Sequence, residues 1–160
     1  MYEPKKKKNY TKKEALLKAA AYCAYQERTQ QEVRTKLFSY GLDPDEVDEL
    51  IIQLSAEKLI DEERFAKSYV RGKYGLKRWG RRKILQGLKA HQISDYCIKQ
   101  GMKEVDPERY EENLLYLLEK KNTTEKEKNP HLRKQKLTYY LMSKGYENDL
   151  VQDALKSMEQ

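Results

Sequence analysis

Cysteine, histidine and clustered glycine are the usual material of a catalytic or metal centre, and in this chain none of them stands at a useful spacing. Cys23 and Cys97 lack the close pairing of metal ligands, which predicts two reduced thiols. His91 and His131 stand alone, without the His-Glu-x-x-His or Cys-His grouping that holds zinc. Gly72, Gly75 and Gly80 do not make a phosphate-cradling loop. The carboxylates fall in first turns and on exposed faces of expected helices, their ordinary place in a helical protein. The expectation is a protein with no metal and no cofactor, not an enzyme, that acts by binding.

The chemistry that remains is electrostatic. Lys and Arg number 33 against 26 Asp and Glu, a formal charge of +7, and the distribution says more than the sum. Residues 43–63 hold nine acids and one base, Lys58. From Arg64 to Ser94 the pattern inverts, with ten bases and no acid in 31 residues. Long basic side chains can lie in solvent without a partner, but solvated helix faces usually mix signs for i, i+4 pairing. A stretch that forgoes such pairing and repels itself points to a polyanion or an acidic protein surface.

The candidate contacts are Arg71, Lys73, Lys77, Arg78, Trp79, Arg81, Arg82, Lys83 and Lys89. Arginine supplies bidentate contacts to phosphate or carboxylate. Trp79 and Tyr74 are placed to stack on bases, although packing at a helix start serves Trp79 at least as well. Arg81, Arg82 and Lys83 open the expected fifth helix and oppose its dipole, so their placement suits recognition better than stability. Reversing all three to Glu is expected to leave stability nearly unchanged.

These side chains must be carried on helices. With Leu37, Leu88 and Leu141 as anchors, Val33, Ile84 and Leu137 stand four residues earlier. Leu42, Ile93 and Tyr146 follow by five, and Val47, Ile98 and Val151 by ten. Ile51, Met102 and Leu155 follow by fourteen, and Leu54, Val105 and Met158 by seventeen. One helix-turn-helix unit therefore occurs three times, at spacings of 51 and 53 residues. Gly41 and Gly145 sit at the turn, where a helix end wants positive φ, while Gln92 takes that place in the second unit and predicts a looser or strained turn.

A further helix precedes each pair, capped at Thr11–Glu14 in the first unit and opened by the near-copies Asp61-Glu62-Glu63-Arg64-Phe65 and Asp106-Pro107-Glu108-Arg109-Tyr110 in the others. The expected helices are 11–28, 30–41, 43–57, 61–74, 77–92, 94–104, 106–121, 130–145 and 147–159. The fold class is all-α, tandem three-helix repeats stacked into an elongated curved array. The expected divisions are a disordered basic arm over 1–10 and repeats over 11–60, 61–105 (the basic one) and 106–160. No run approaches the roughly 18 apolar residues of a membrane span, and the Lys-rich start lacks the apolar segment of a secretory signal. A cytoplasmic monomer is expected.

The stretch Leu59-Ile60-Asp61-Glu62-Glu63-Arg64-Phe65-Ala66, then Tyr69-Val70-Arg71, then Trp79-Gly80-Arg81-Arg82-Lys83-Ile84 with Leu88, resembles the central signature of RecX regulatory proteins. Glu32-Val33-Arg34-x-Lys36-Leu37 and Gly41 fit the flanking repeat, and the resemblance covers about residues 15–158. The chain departs from the pattern at its Lys-rich start, at Arg81 where many members carry Pro, at Gln92, and in the charged loop 122–129. The resemblance implies a right-handed stack of three-helix repeats lying in the groove of the RecA–DNA filament. It also implies partners in the RecA recombinase filament and in single- or double-stranded DNA, with lowered recombination, ATP hydrolysis and coprotease activity in DNA repair and the SOS response. Two other readings of the residues remain: a helix-turn-helix DNA-binding protein unrelated to RecA, and an interaction scaffold using the acidic 43–63 face.

Overall fold

The computed structural model describes residues 9–159, and among these the chain is wholly helical, with nine helices and no strand. The basic arm expected over 1–10 lies outside the described residues up to residue 8. Its last residue, Tyr10, donates its backbone N–H to the carbonyl of Tyr40 and packs edge-on against that ring.

Among the described residues, those up to Phe65 form one compact unit and those from Ala66 another. In the first, helices α1 (Lys12–Tyr25), α2 (Gln30–Ser39) and α3 (Pro44–Ala56) close around a core of Ala15, Val33, Leu37, Val47, Leu50 and Leu54. Each helix starts where a cap dictates. Thr11 with Glu14 and Asp43 with Glu46 form reciprocal capping boxes, and Thr29 accepts from the amide of Glu32. Helix α1 stops three residues short of the expected 28. Arg28 folds back to donate to the Tyr22 carbonyl and lies 3.7 Å over the Tyr22 ring, so residues 26–29 are spent closing one helix and capping the next.

Helix α4 (Glu62–Gly75) runs from the first unit into the second. The second unit continues with α5 (Arg81–Ala90), α6 (Asp95–Met102), α7 (Pro107–Thr124), α8 (Pro130–Ser143) and α9 (Asn148–Met158). The expected helix 77–92 begins only at Arg81. Arg78 sits in the left-handed region at φ 55°, its carbonyl accepts a hydrogen bond from the Tyr146 hydroxyl at 2.7 Å, and Gly80 is extended as the N-cap. The polar loop at 122–129 is built around one side chain: Arg133 donates to the carbonyls of Asn122, Glu125 and Glu127 and to the Asn122 amide oxygen.

The three-fold register holds. Every repeat position is buried except Met102, which is half-buried, and Met158, which is exposed. A fully buried Leu, Ile or Val contributes roughly 1.5–3 kcal/mol, so the register is where much of the stability resides. The three turns also share one geometry. Gly41 (φ 88°), Gln92 (φ 59°) and Gly145 (φ 99°) are all left-handed, and each donates to the carbonyl three residues before it, of Phe38, Lys89 and Met142. Gln92 keeps the turn and bears the strain of a side chain at positive φ.

Candidate nucleic-acid interface

The acid-free stretch covers most of α4, the turn at 76–80 and all of α5. Helix α5 lies close against α4 because Gly87 has no side chain; a Cβ there would meet the Tyr69 hydroxyl well inside van der Waals contact. Tyr69 in turn meets His91 edge to face at 5.5 Å, and burial raises its phenol pKa. On this frame, half-buried Trp79 gathers two cations. The Lys73 ammonium lies 4.7 Å from its ring and the Lys83 ammonium 4.4 Å. Lys73 also stands 5.2 Å from the Tyr69 ring. A ring quadrupole attracts ammonium groups without consuming their N–H donors, so the indole draws two point charges from two helices to itself. Trp79 is thus a support for lysines from two helices and less a platform for a base.

Around this pair, Arg82, Gln86 and Lys89 are exposed at i, i+4 and i+7 of α5 and so share one face, and Lys77 is exposed in the preceding turn. Arg71 is exposed with Glu104 at 3.6 Å. Two residues of the expected set turn elsewhere. The Arg78 guanidinium stacks at 4.1 Å on Tyr116 of α7. Arg81 lies 4.0 Å over the Tyr110 ring and donates to the Glu147 carboxylate at 2.9 Å. Arg81 is therefore a tether between α5 and the α8–α9 turn, and the expectation that reversing it leaves stability unchanged does not suit its surroundings.

The start of α5 is not open to an anion. The Gly80 amide donates to the Lys144 carbonyl at 2.7 Å, the Arg81 amide to the Tyr110 hydroxyl at 3.0 Å, and the Arg82 amide to the Gly145 carbonyl at 3.0 Å. This apposition requires glycine on both sides, since a Cβ on Gly80 would collide with the backbone of Gly145 and Tyr146. The positive end of α5 is met by the carbonyls that close α8, which also offsets the cost of placing bases there. At the other end of the turn, Asn113 donates to the Tyr74 carbonyl at 2.8 Å and Arg109 to that of Gly75 at 3.2 Å, so α7 closes the end of α4.

Tyr110, Glu147 and Tyr146 were not singled out by sequence reasoning as functional or linking residues. Tyr110 donates its hydroxyl to Glu147, and desolvation with that bond pushes its pKa far above that of an ordinary phenol; desolvation does the same for Tyr146. The available signal was a single letter. Tyr110 stands where the near-copied motif has Phe65, and a hydroxyl at a buried position needs a partner. Among the described residues no group of His, Cys, Asp and Glu is arranged to hold a metal, and both cysteines are free thiols, with Cys23 buried and its pKa raised by that burial. No described helix is long and apolar enough to cross a membrane.

Comparison with known proteins follows the repeats. Residues 15–54 match the family model for the first three-helix domain of RecX, residues 61–102 the second, and residues 108–155 the third. A regulatory protein RecX of Bacillus mycoides is 30% identical over 145 residues, covering 91% of this chain and 54% of that protein. One from Clostridium botulinum is 31% identical over 131 residues, covering 81% and 61%. The chain thus spans little more than half the length of these relatives. The crystal structure of RecX from Lactobacillus salivarius shares the fold with a TM-score of 0.84 at 24% identity, covering 92% of this chain and 96% of that one. With its three helical units matched in order, the chain belongs to the RecX family.

Proposed function

We propose that this protein regulates homologous recombination by binding the filament that RecA recombinase forms on DNA and lowering its activity, in the cytoplasm, as a monomer and without catalysis of its own. The observation that carries the reading is the α4–α5 surface. Lys73 and Lys83 are gathered on Trp79 beside the exposed face of Arg82 and Lys89, within a stretch that contributes no acid. Such a surface fits the phosphates of the filament's DNA, where each lysine neutralises charge and releases counterions. Membership of the RecX family supports RecA as the protein partner.

The test is DNA-dependent ATP hydrolysis by RecA with this protein added below stoichiometry. Dose-dependent inhibition is expected. Hydrolysis unchanged up to equimolar protein overturns the reading.

A further inference from the structure

A second surface has chemistry that the α4–α5 stretch lacks. Helix α8 buries Leu137 and Leu141 and turns Tyr139 outward, 78% exposed. The neighbouring Tyr140 ring is covered instead by the ammoniums of Lys121 at 5.2 Å and Lys144 at 5.6 Å. Tyr139 is the ridge between two shallow clefts of about 440 and 430 Å³, both of which it lines together with Gln135. Lys121, Glu125, Lys136 and Ser143 wall the first, and Lys134, Thr138, Met142 and Gln152 the second. The amides are already oriented, Gln135 by His131 at 3.3 Å and Gln152 by Thr138 and Asn148 at 3.3 and 3.2 Å.

We propose that the outward face of α8 is a base-stacking site for single-stranded nucleic acid, centred on Tyr139. An exposed ring on a rigid helix presents a π-face that every base can use. Gln135 keeps one amide N–H and its oxygen, and Gln152 its oxygen, for the edge of a stacked base. Lys134 stands at the wall of the second cleft, where a flanking phosphate would pass, while Lys121 and Lys136 of the first lie 3.9 and 3.8 Å from the Glu125 carboxylate. An acidic protein segment would use the same lysines, but amide walls beside an open ring suit a flat, polar-edged heterocycle better than an aliphatic side chain. The site deepens the reading above, since it rests on this chain meeting nucleic acid, and it adds stacking to what is otherwise a contact of charges.

The experiment uses the full chain and an oligothymidylate of about 15 nucleotides, with 5-iododeoxyuridine replacing thymidine for photocross-linking. The expected result is a cross-link at Tyr139. Tyr139→Ala should weaken binding about 5- to 100-fold with the same melting temperature and the same slope of log K against log salt, whereas Tyr139→Phe binds as the wild type does. Charge changes at Lys83 should alter that slope. Cross-links confined to other residues, with Tyr139→Ala binding normally, overturn the inference. A wild type that inhibits the RecA ATPase yet binds no oligonucleotide also overturns it and leaves the regulatory reading standing. A chain that cross-links through Tyr139 but leaves the ATPase untouched does the reverse.

Discussion

The guanidinium of Arg81 and the carboxylate of Glu147 meet at 2.9 Å, joining the first residue of α5 to the N-cap of α9 across 66 positions of sequence. Both side chains are about one-third exposed, so the ion pair alone is screened and modest. Its weight comes from Tyr110, which lies under the guanidinium, accepts from the Arg81 amide and donates to the same carboxylate. Three groups satisfy one another where two repeats meet.

Arg81→Glu should therefore cost stability. It places two carboxylates together beside a buried phenol and removes a charged hydrogen bond, for a loss of about 1–3 kcal/mol. Urea unfolding followed by circular dichroism checks this. A midpoint equal to that of the wild type would mean the network contributes nothing.

Arg82→Glu combined with Lys83→Glu should behave in the opposite way. Arg82 is exposed and Lys83 half-buried with its ammonium on the Trp79 ring, so stability should stay within about 1 kcal/mol of the wild type. Inhibition of RecA ATP hydrolysis should largely disappear if this face meets phosphate as proposed, because two repelling charges would then replace two attractive ones. A folded double variant that still inhibits fully would remove this face from the function.

Gln92→Gly should stabilise the chain by up to about 1 kcal/mol, since the turn geometry at φ 59° is already the one glycine adopts without strain. The measurement is a thermal melt, in which the variant should unfold a few degrees higher.

Stability should fall in alkali. Burial keeps the phenols of Tyr110 and Tyr146 protonated well above the ordinary 10.0. Above about pH 10 the unfolded chain gives up protons that the folded chain retains, so this contribution is complete below that pH and is lost as pH rises. Melts between about pH 8 and 11 should show the decline. Tyr146→Phe should start about 1 kcal/mol lower for want of its bond to Arg78 and then decline less steeply.

The register of the fold could be read from residue types alone because burial has a period. Val33, Ile84 and Leu137 each occupy the same inward position, and their neighbours on the sequence announce it. The cap of α1 was legible for the same reason: Thr11 with Glu14 completes its hydrogen bonds within one turn. The roles of Arg78 and Arg81 were not legible. Both sit in a run of bases that looks uniform, and what distinguishes them is an aromatic ring and an acid brought in from 29 or more residues away. The late start of the expected fifth helix has the same origin, since Tyr146 claims the Arg78 carbonyl from 68 residues on. Gln92 shows the converse. The fold imposes its turn on a residue that local preference would place elsewhere.

The glycine-to-glycine apposition at Gly80 and Gly145 has a mechanical consequence. The Gly80 and Arg82 amides grip the Lys144 and Gly145 carbonyls along a direction set by backbone alone, with no side chain between to act as a spring. Tension applied to α9 would load these bonds together with the Arg81–Glu147 pair. The second and third repeats should then yield as one event at a single rupture force.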